Sequence, residues 1–278
     1  MNPKLTSSKV RPQLHPRDFG PHWNSCYYDS IQEIYWDARN MLGKISPDPL
    51  IFANDREMLG NLRRLEVSLN HILALFFSLA PQDFTSDLER QVFSDSCDQP
   101  FRNVDIFELR RNAPHDPTQP DVFLVSNDTC LSIEVKIGSK SYLEQAVKYA
   151  LLHCDYEKRT GPKLASRLIF LTPRSVSKTW KENFHDIASM REALEHFDYP
   201  ALLKKTKMIA LVSSDELRSA ANAMEIGHIT FDQLNEFTKG YAASIPPEAL
   251  YADTVKKLFD GLLHEFEFRR DLLNLCVK

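Results

Sequence analysis

The sequence predicts an α/β protein: a mixed β-sheet flanked by helices, with a helical region ahead of it. Three observations carry that reading. Apolar residues recur at three- and four-residue spacing through LGNLRRLEVSLNHILALFFSL, residues 59–79. The strand-like runs VDIFELR, PDVFLV and CLSIEVKI then crowd into residues 104–137. After them, helical and strand-like segments alternate to about residue 231, and helices close the chain.

Each element has a local reason. Residues 1–22 are polar and hold Pro3, Pro12, Pro16 and Pro21, which suits an extended, loosely docked arm. Helical patterning runs from Trp23 and stops at Pro81, which cannot continue a helix. TSDLERQVF is a shorter helix with Thr85 or Ser86 as N-cap. VDIFELR (104–110), PDVFLV (120–125) and CLSIEVKI (130–137) follow as strands. SYLEQAVKYALLHCDYE (141–157) is helical, and RLIFLTP (167–173) is a strand ended by Pro173. KENFHDIASMREALEHF and DELRSAANAM are helical, with KMIALVS (207–213) between them as a strand. HITF (228–231) is a last short strand before helices at 231–241 and 248–275. The chain divides into an arm (1–22), a helical region (23–84), a core (85–240) and a C-terminal helical segment (241–278).

Composition narrows the function. Of 278 residues, 43% are hydrophobic and 26% charged, as in ordinary soluble proteins. A net charge of -4 excludes a uniformly basic nucleic-acid coat but leaves room for a local basic groove. Cys26, Cys97, Cys130, Cys154 and Cys276 form no CxxC or His/Cys ligand pattern. Reduced thiols in a cytoplasmic protein without zinc are therefore expected. The longest apolar stretch, HILALFFSLA, is too short to span a bilayer, so no membrane partner is expected. No apolar signal core begins the chain. GxxxxGK[ST], HExxH and GxSxG are absent. The aromatic stretch CYYDSIQEIYWDA reads as helix core rather than a base-stacking platform.

The chemistry concentrates in QPDVFLVSNDTCLSIEVK, residues 119–136. With Asn127-Asp128 as a two-residue hairpin loop, Ser126 faces Thr129, and counting outward Asp121 faces Glu134. Opposed residues leave the sheet on one face, and period-two alternation adds Lys136 to that face. Two facing carboxylates repel unless positive charge sits between them. Lys136 supplies some, and a divalent cation would supply more. Alternatively, the trio is a solvated sheet face, since Glu-x-Lys or Glu-x-Arg recurs at Glu108, Glu216 and Glu267.

The next helix carries Gln145 and Tyr149, four residues apart on one face. Pro120-Asp121, Glu134-Val135-Lys136 and Gln145-Ala-Val-Lys-Tyr149 together resemble the PD, ExK and QxxxY elements of the PD-(D/E)xK nuclease superfamily, in its RecB-like branch. The Leu171-Thr172-Pro173 end of the later strand is similar to a segment of some members. The resemblance covers roughly residues 85–175. It implies a restriction-endonuclease-like core and a Mg²⁺-dependent phosphodiesterase, with Mn²⁺ able to substitute. It implies Asp121, Glu134 and the Val135 carbonyl as metal ligands, and Lys136 as the residue acting on water and developing charge. An acid from the preceding helix is also implied, with Glu89 the first choice and Glu66 the rival, which could equally be a solvated helix position. Gln145 and Tyr149 are implied to face substrate or water, or else are ordinary interfacial residues. Lys140, Lys148, Lys158, Arg159 and Lys163 are candidates for phosphate contacts or a solvated face.

The expected partner is nucleic acid, DNA ahead of RNA, with a homodimer or partner protein suggested by the long flanks. The expected activity is an endonuclease-type hydrolase in restriction, defence, mobile-element or repair contexts. Two rivals stay open. One is a catalytically silent interaction module on the same fold, and the other an RNA-directed nuclease.

Overall fold

Asn127 and Asp128 turn the chain between two strands, and the pairing that follows sets the register of the whole sheet. A computed structural model describes Trp23, Asn24, Tyr27 and residues 66–276, except 96–98, 105–107, 110–117, 139, 162, 183 and 250. The N-terminal arm and nearly all of the aromatic stretch lie outside the described residues.

The architecture is mixed α/β. Five strands stand in the order β1 (Arg102–Asn103), β2 (Val122–Val125), β3 (Thr129–Val135), β4 (Ala165–Thr172) and β5 (Glu225–Thr230). The first three run antiparallel, and β3, β4 and β5 run parallel. In the hairpin, the Ser126 N–H donates to the Thr129 carbonyl at 2.8 Å. Val122 then pairs with Ile133 and Phe123 with Ser132, the register expected from a two-residue turn. Every residue of β2 and β3 is buried, because helices cover both faces.

One face carries Phe123, Val125, Cys130, Leu168, Phe170 and Ile226. It packs on α3 (Leu143–Thr160), α5 (Ile187–Glu195), α6 (Tyr199–Thr206) and α7 (Ser214–Ala223). Trp180, just after the short α4 (Val176–Thr179), lies edge-on against Phe170. The other face carries Val122, Leu124, Leu131, Ile133, Val135, Ile169 and Leu171. It meets α1 (Glu66–Leu79), α2 (Gln82–Phe93), α8 (Phe231–Ser244) and α9 (Ala252–Phe268). Phe76, Phe84 and Phe259 interlock edge to face where α1, α2 and α9 meet. A last turn, α10 (Arg270–Leu273), closes the described chain. Close approach requires Gly227, since a Cβ there would lie 2.1 Å from Val92 on α2.

Several expectations change. The helix placed at Thr85 or Ser86 starts at Gln82, so both residues are buried inside it rather than capping it. In VDIFELR, the described Glu108 and Leu109 are helical, and the first strand is Arg102–Asn103. KMIALVS is not a strand. Met208 and Val212 are buried four residues apart while Ile209 and Leu211 are exposed, which is the spacing of a turn. The Leu211 and Val212 N–H groups both return to the Met208 carbonyl. The final strand starts at Glu225, and Phe231 already belongs to α8 because Thr230 and Gln233 form a capping box. The helix expected from residue 181 starts at Ile187, behind the Asp186–Ser189 capping box. The long C-terminal helix is two pieces, α9 and α10.

Among the described residues no helix is long and apolar enough to cross a membrane, and Cys130, Cys154 and Cys276 carry free thiols.

Candidate active site

The polar side chains that the buried hairpin cannot explain collect where β3 ends. β2 begins at Val122, so Asp121 stands just before it, continuing the register opposite Glu134. Asp121 Oδ2 accepts the Val135 backbone N–H at 2.8 Å. A strand residue's N–H and C=O point the same way. The Val135 carbonyl therefore also points toward the Asp121 side, while the next N–H, of Lys136, bonds the Leu171 carbonyl on β4. The other Asp121 oxygen accepts from the Asn70 side-chain amide.

Glu134 is 2% exposed, and its two oxygens meet different donors. Lys136 Nζ lies 2.6 Å from Oε1, and Gln145 Nε2 donates to the same oxygen at 3.1 Å. The buried Tyr149 hydroxyl donates to Oε2. Helical spacing thus brings Gln145 and Tyr149 to one carboxylate. Glu66, the first residue of α1, reaches over the sheet's end from the other layer. Its Oε1 is 3.2 Å from Lys136 Nζ, and its Oε2 accepts the Ile137 N–H at 3.0 Å. An acid in a first turn also suits the helix dipole.

The cluster therefore joins Glu66, Asp121, Glu134, Lys136, Gln145 and Tyr149. It does not include Glu89. That carboxylate lies on α2, is buried, and pairs with Arg167 at 3.0 Å. Arg167 shares the sheet face of Ile169 and Leu171, opposite Phe170, and sits at the other end of β4. The helix-borne acid beside Lys136 is Glu66. Asn70, one turn along α1 from Glu66, went unread at the sequence level. The signal was a polar residue among buried Leu69, Ile72 and Leu73.

The basic residues expected near phosphate are mostly occupied elsewhere. Lys148 pairs with Glu144, Lys158 with Glu216 and Arg159 with Asp155. Thirteen residues of α3 separate Gln145 from Lys158, about 20 Å along the axis. Lys140 and Lys163 are exposed.

Charge is unbalanced in the cluster, with three carboxylates against one ammonium. Burial and then the Glu134 charge push the Asp121 carboxyl up to about 8, while the Val135 N–H and Lys136 pull it back. A proton thus supplies positive charge that the cluster lacks. Burial disfavours the Lys136 ammonium, but Glu134, Glu66 and Asp121 together outweigh it and hold the amine above its ordinary value. Burial and the two carboxylates drive the Tyr149 phenol well up, so it remains a neutral donor.

A second polar group, His153 between Ser132 and Ser166, is buried under α3. Burial pushes its imidazole down to about 3, so it stays neutral and braces β3 and β4.

Every donor to a cation in the cluster is oxygen, and its excess charge is negative, which fits a hard divalent ion such as Mg²⁺. Among the described residues no three acidic, His or Cys side chains converge on one metal position. In the contacts, Lys136 sits between Glu134 and Glu66. Comparison with protein-family models, with curated proteins and with solved structures finds no match for the chain.

Proposed function

We propose that this protein is a Mg²⁺-dependent nuclease that hydrolyses phosphodiester bonds, in DNA ahead of RNA, on a restriction-endonuclease-like core. The observation that carries the proposal is the gathering of Glu66, Asp121, Glu134 and Lys136 at one strand end, braced by Gln145 and Tyr149. These residues come from α1, the two arms of the β2–β3 hairpin and α3, over 80 positions of sequence, yet meet in one cluster. The chain order of antiparallel hairpin, helix and parallel strand agrees with the resemblance in sequence.

Asp121, Glu134 and the Val135 carbonyl would hold the metal, and Glu66 stands beyond the Lys136 ammonium that it shares with Glu134. When bound, Mg²⁺ would supply charge to a scissile phosphate and acidify a water. The protein's part is positioning. Lys136 is held as an ammonium, so it donates to water or to a phosphate oxygen and does not take the proton. Tyr149 and Gln145 fix the Glu134 carboxylate from below, which keeps it from turning away. Water oxygen forms the new bond to phosphorus and gives a proton to solvent, while the bond to the leaving sugar oxygen breaks and that oxygen takes up a proton from solvent.

One observation favours a second reading. Each oxygen of Asp121 and Glu134 already accepts a bond from a protein donor, as in a cluster that serves only to hold the fold. That is the silent interaction module. Incubation with supercoiled plasmid, linear duplex, single-stranded DNA and RNA, with Mg²⁺, Mn²⁺ or a chelator, separates the two. Metal-dependent cleavage that is lost in Glu134→Gln supports the nuclease. Cleavage of RNA alone would move the substrate class, and absence of all cleavage with no Mn²⁺ binding would leave the module.

A further inference from the structure

Asn70 is an expensive choice for its position. It lies in the middle of α1 among core residues and is only 9% exposed. Asn is a weaker helix former than Leu, and a buried amide needs partners at both ends. One end has its partner, since Nδ2 donates to Asp121 Oδ1. The amide oxygen is buried and has none. A buried acceptor in that condition has lost its water and gained nothing in return. The neighbouring Ser68 shows the usual remedy, because Arg269 Nη2 donates to its hydroxyl at 2.8 Å. Asn70 sits four residues after Glu66, so the two side chains leave α1 on the same side. The amide oxygen is therefore held beside Asp121 and one turn from Glu66, at the edge of the acidic cluster.

We infer that Asn70 is a positioning residue of this site: one end of its amide holds the Asp121 carboxylate, and the other accepts a hydrogen bond from a water of the bound divalent cation. This rests on the reading of the cluster as a divalent-cation site. The choice of an amide follows from the charge balance. Three carboxylates already face one ammonium, so a neutral acceptor adds an oxygen without adding repulsion. An aliphatic residue would fill the same space but would free Asp121 to turn and offer the hydrated ion nothing. Residues that orient metal ligands in this way typically carry a 10–100-fold share of affinity.

The test uses the full chain and Mn²⁺ as the probe. Wild type, Asn70→Leu and Asn70→Ala are titrated by calorimetry, and their melting is followed with and without Mn²⁺. Asn70→Leu keeps the branched four-heavy-atom skeleton of the side chain, so it is expected to fold and to bind Mn²⁺ about tenfold or more weakly. A dissociation constant within about twofold of wild type overturns the inference. Should Asn70→Leu fail to fold, Asn70→Ala decides. It removes both ends of the amide and adds no charge, so Mn²⁺ raises its melting temperature by less than in wild type. An equal or larger rise overturns the inference. Failure of the wild type itself to bind Mn²⁺ is a different result: it removes the nuclease reading, and this inference with it.

Discussion

Tyr149 donates its hydroxyl to Glu134 from beneath, on a helix that begins only after the strand carrying Glu134 has ended. The contact is buried, so neither partner can be satisfied by solvent instead. A hydrogen bond to a charged group is worth about 1.5–3 kcal/mol. Tyr149→Phe removes the hydroxyl and keeps the ring. It is expected to lower stability by about that amount in urea titration. Cleavage should fall as Glu134 loses its anchor, while Gln145 limits the drop to a partial one. A Phe variant as stable and as active as wild type would show that the contact orients nothing.

Glu66 and Glu89 offer a contrast. Glu66→Gln removes a half-exposed carboxylate from the cluster, so stability should change by less than about 1 kcal/mol while Mn²⁺ affinity and turnover fall. Glu89→Gln removes the buried partner of Arg167, which keeps Asp95 and Glu225, so it should cost less than the about 3–5 kcal/mol of a fully orphaned charge, with Mn²⁺ affinity of the folded fraction unchanged. Calorimetry beside denaturant melts reads both. The reverse pattern would return the helix-borne role to Glu89.

This pair also marks the limit of what the sequence discloses. The hairpin register was legible, because a two-residue turn leaves no freedom in which residue faces which. Asp121, Glu134 and Lys136 follow from it, while Gln145 and Tyr149 come from the resemblance of Gln145-Ala-Val-Lys-Tyr149 to a family element, helical spacing adding only that they share a face. Glu66 does not, because no local period reports that α1 crosses the end of the sheet. Glu89 was favoured for its nearness in sequence to the first strand, and sequence distance is a poor guide once a helix can pack on either face. KMIALVS failed for a related reason. A short apolar run fits a strand or a turn equally, and only the burial of Met208 and Val212 decides.

Asp121 makes metal-free stability depend on pH. Its carboxyl is pushed from an ordinary 3.8 up to about 8 in the folded protein. Between those values the unfolded chain is ionised and the folded chain keeps its proton, so folding takes up a proton. Stability should then fall as pH rises from about 4 to about 8, by at most ~1.4 kcal/mol per unit from this group, and level off above. Asp121→Asn should flatten that slope, since the Asn70 amide can turn to match the new side chain. Melting temperatures of both proteins in chelator, from pH 5 to 9, give the comparison. An unchanged slope in the variant would assign the effect to other groups.

Lys136 and a divalent cation compete for the same oxygens. The ammonium lies 2.6 Å from Glu134 and 3.2 Å from Glu66, so an ion entering the cluster must displace it or share those carboxylates. Removing the charge therefore frees the ligands. Lys136→Met, which keeps most of the side chain's volume, should bind Mn²⁺ as tightly as wild type or more tightly. Turnover should move the other way. A donor aimed at developing charge typically contributes about 10²–10³ in rate. The variant should thus be a good metal binder and a poor nuclease, a combination that loss of fold cannot imitate. Glu134→Gln should lose both properties together. Calorimetric titration run beside plasmid nicking on the same preparations reads the two quantities independently. A Lys136→Met protein that cuts at the wild-type rate would reduce Lys136 to a balancing charge, and the likeness of Glu134-Val135-Lys136 to a nuclease motif would be coincidence.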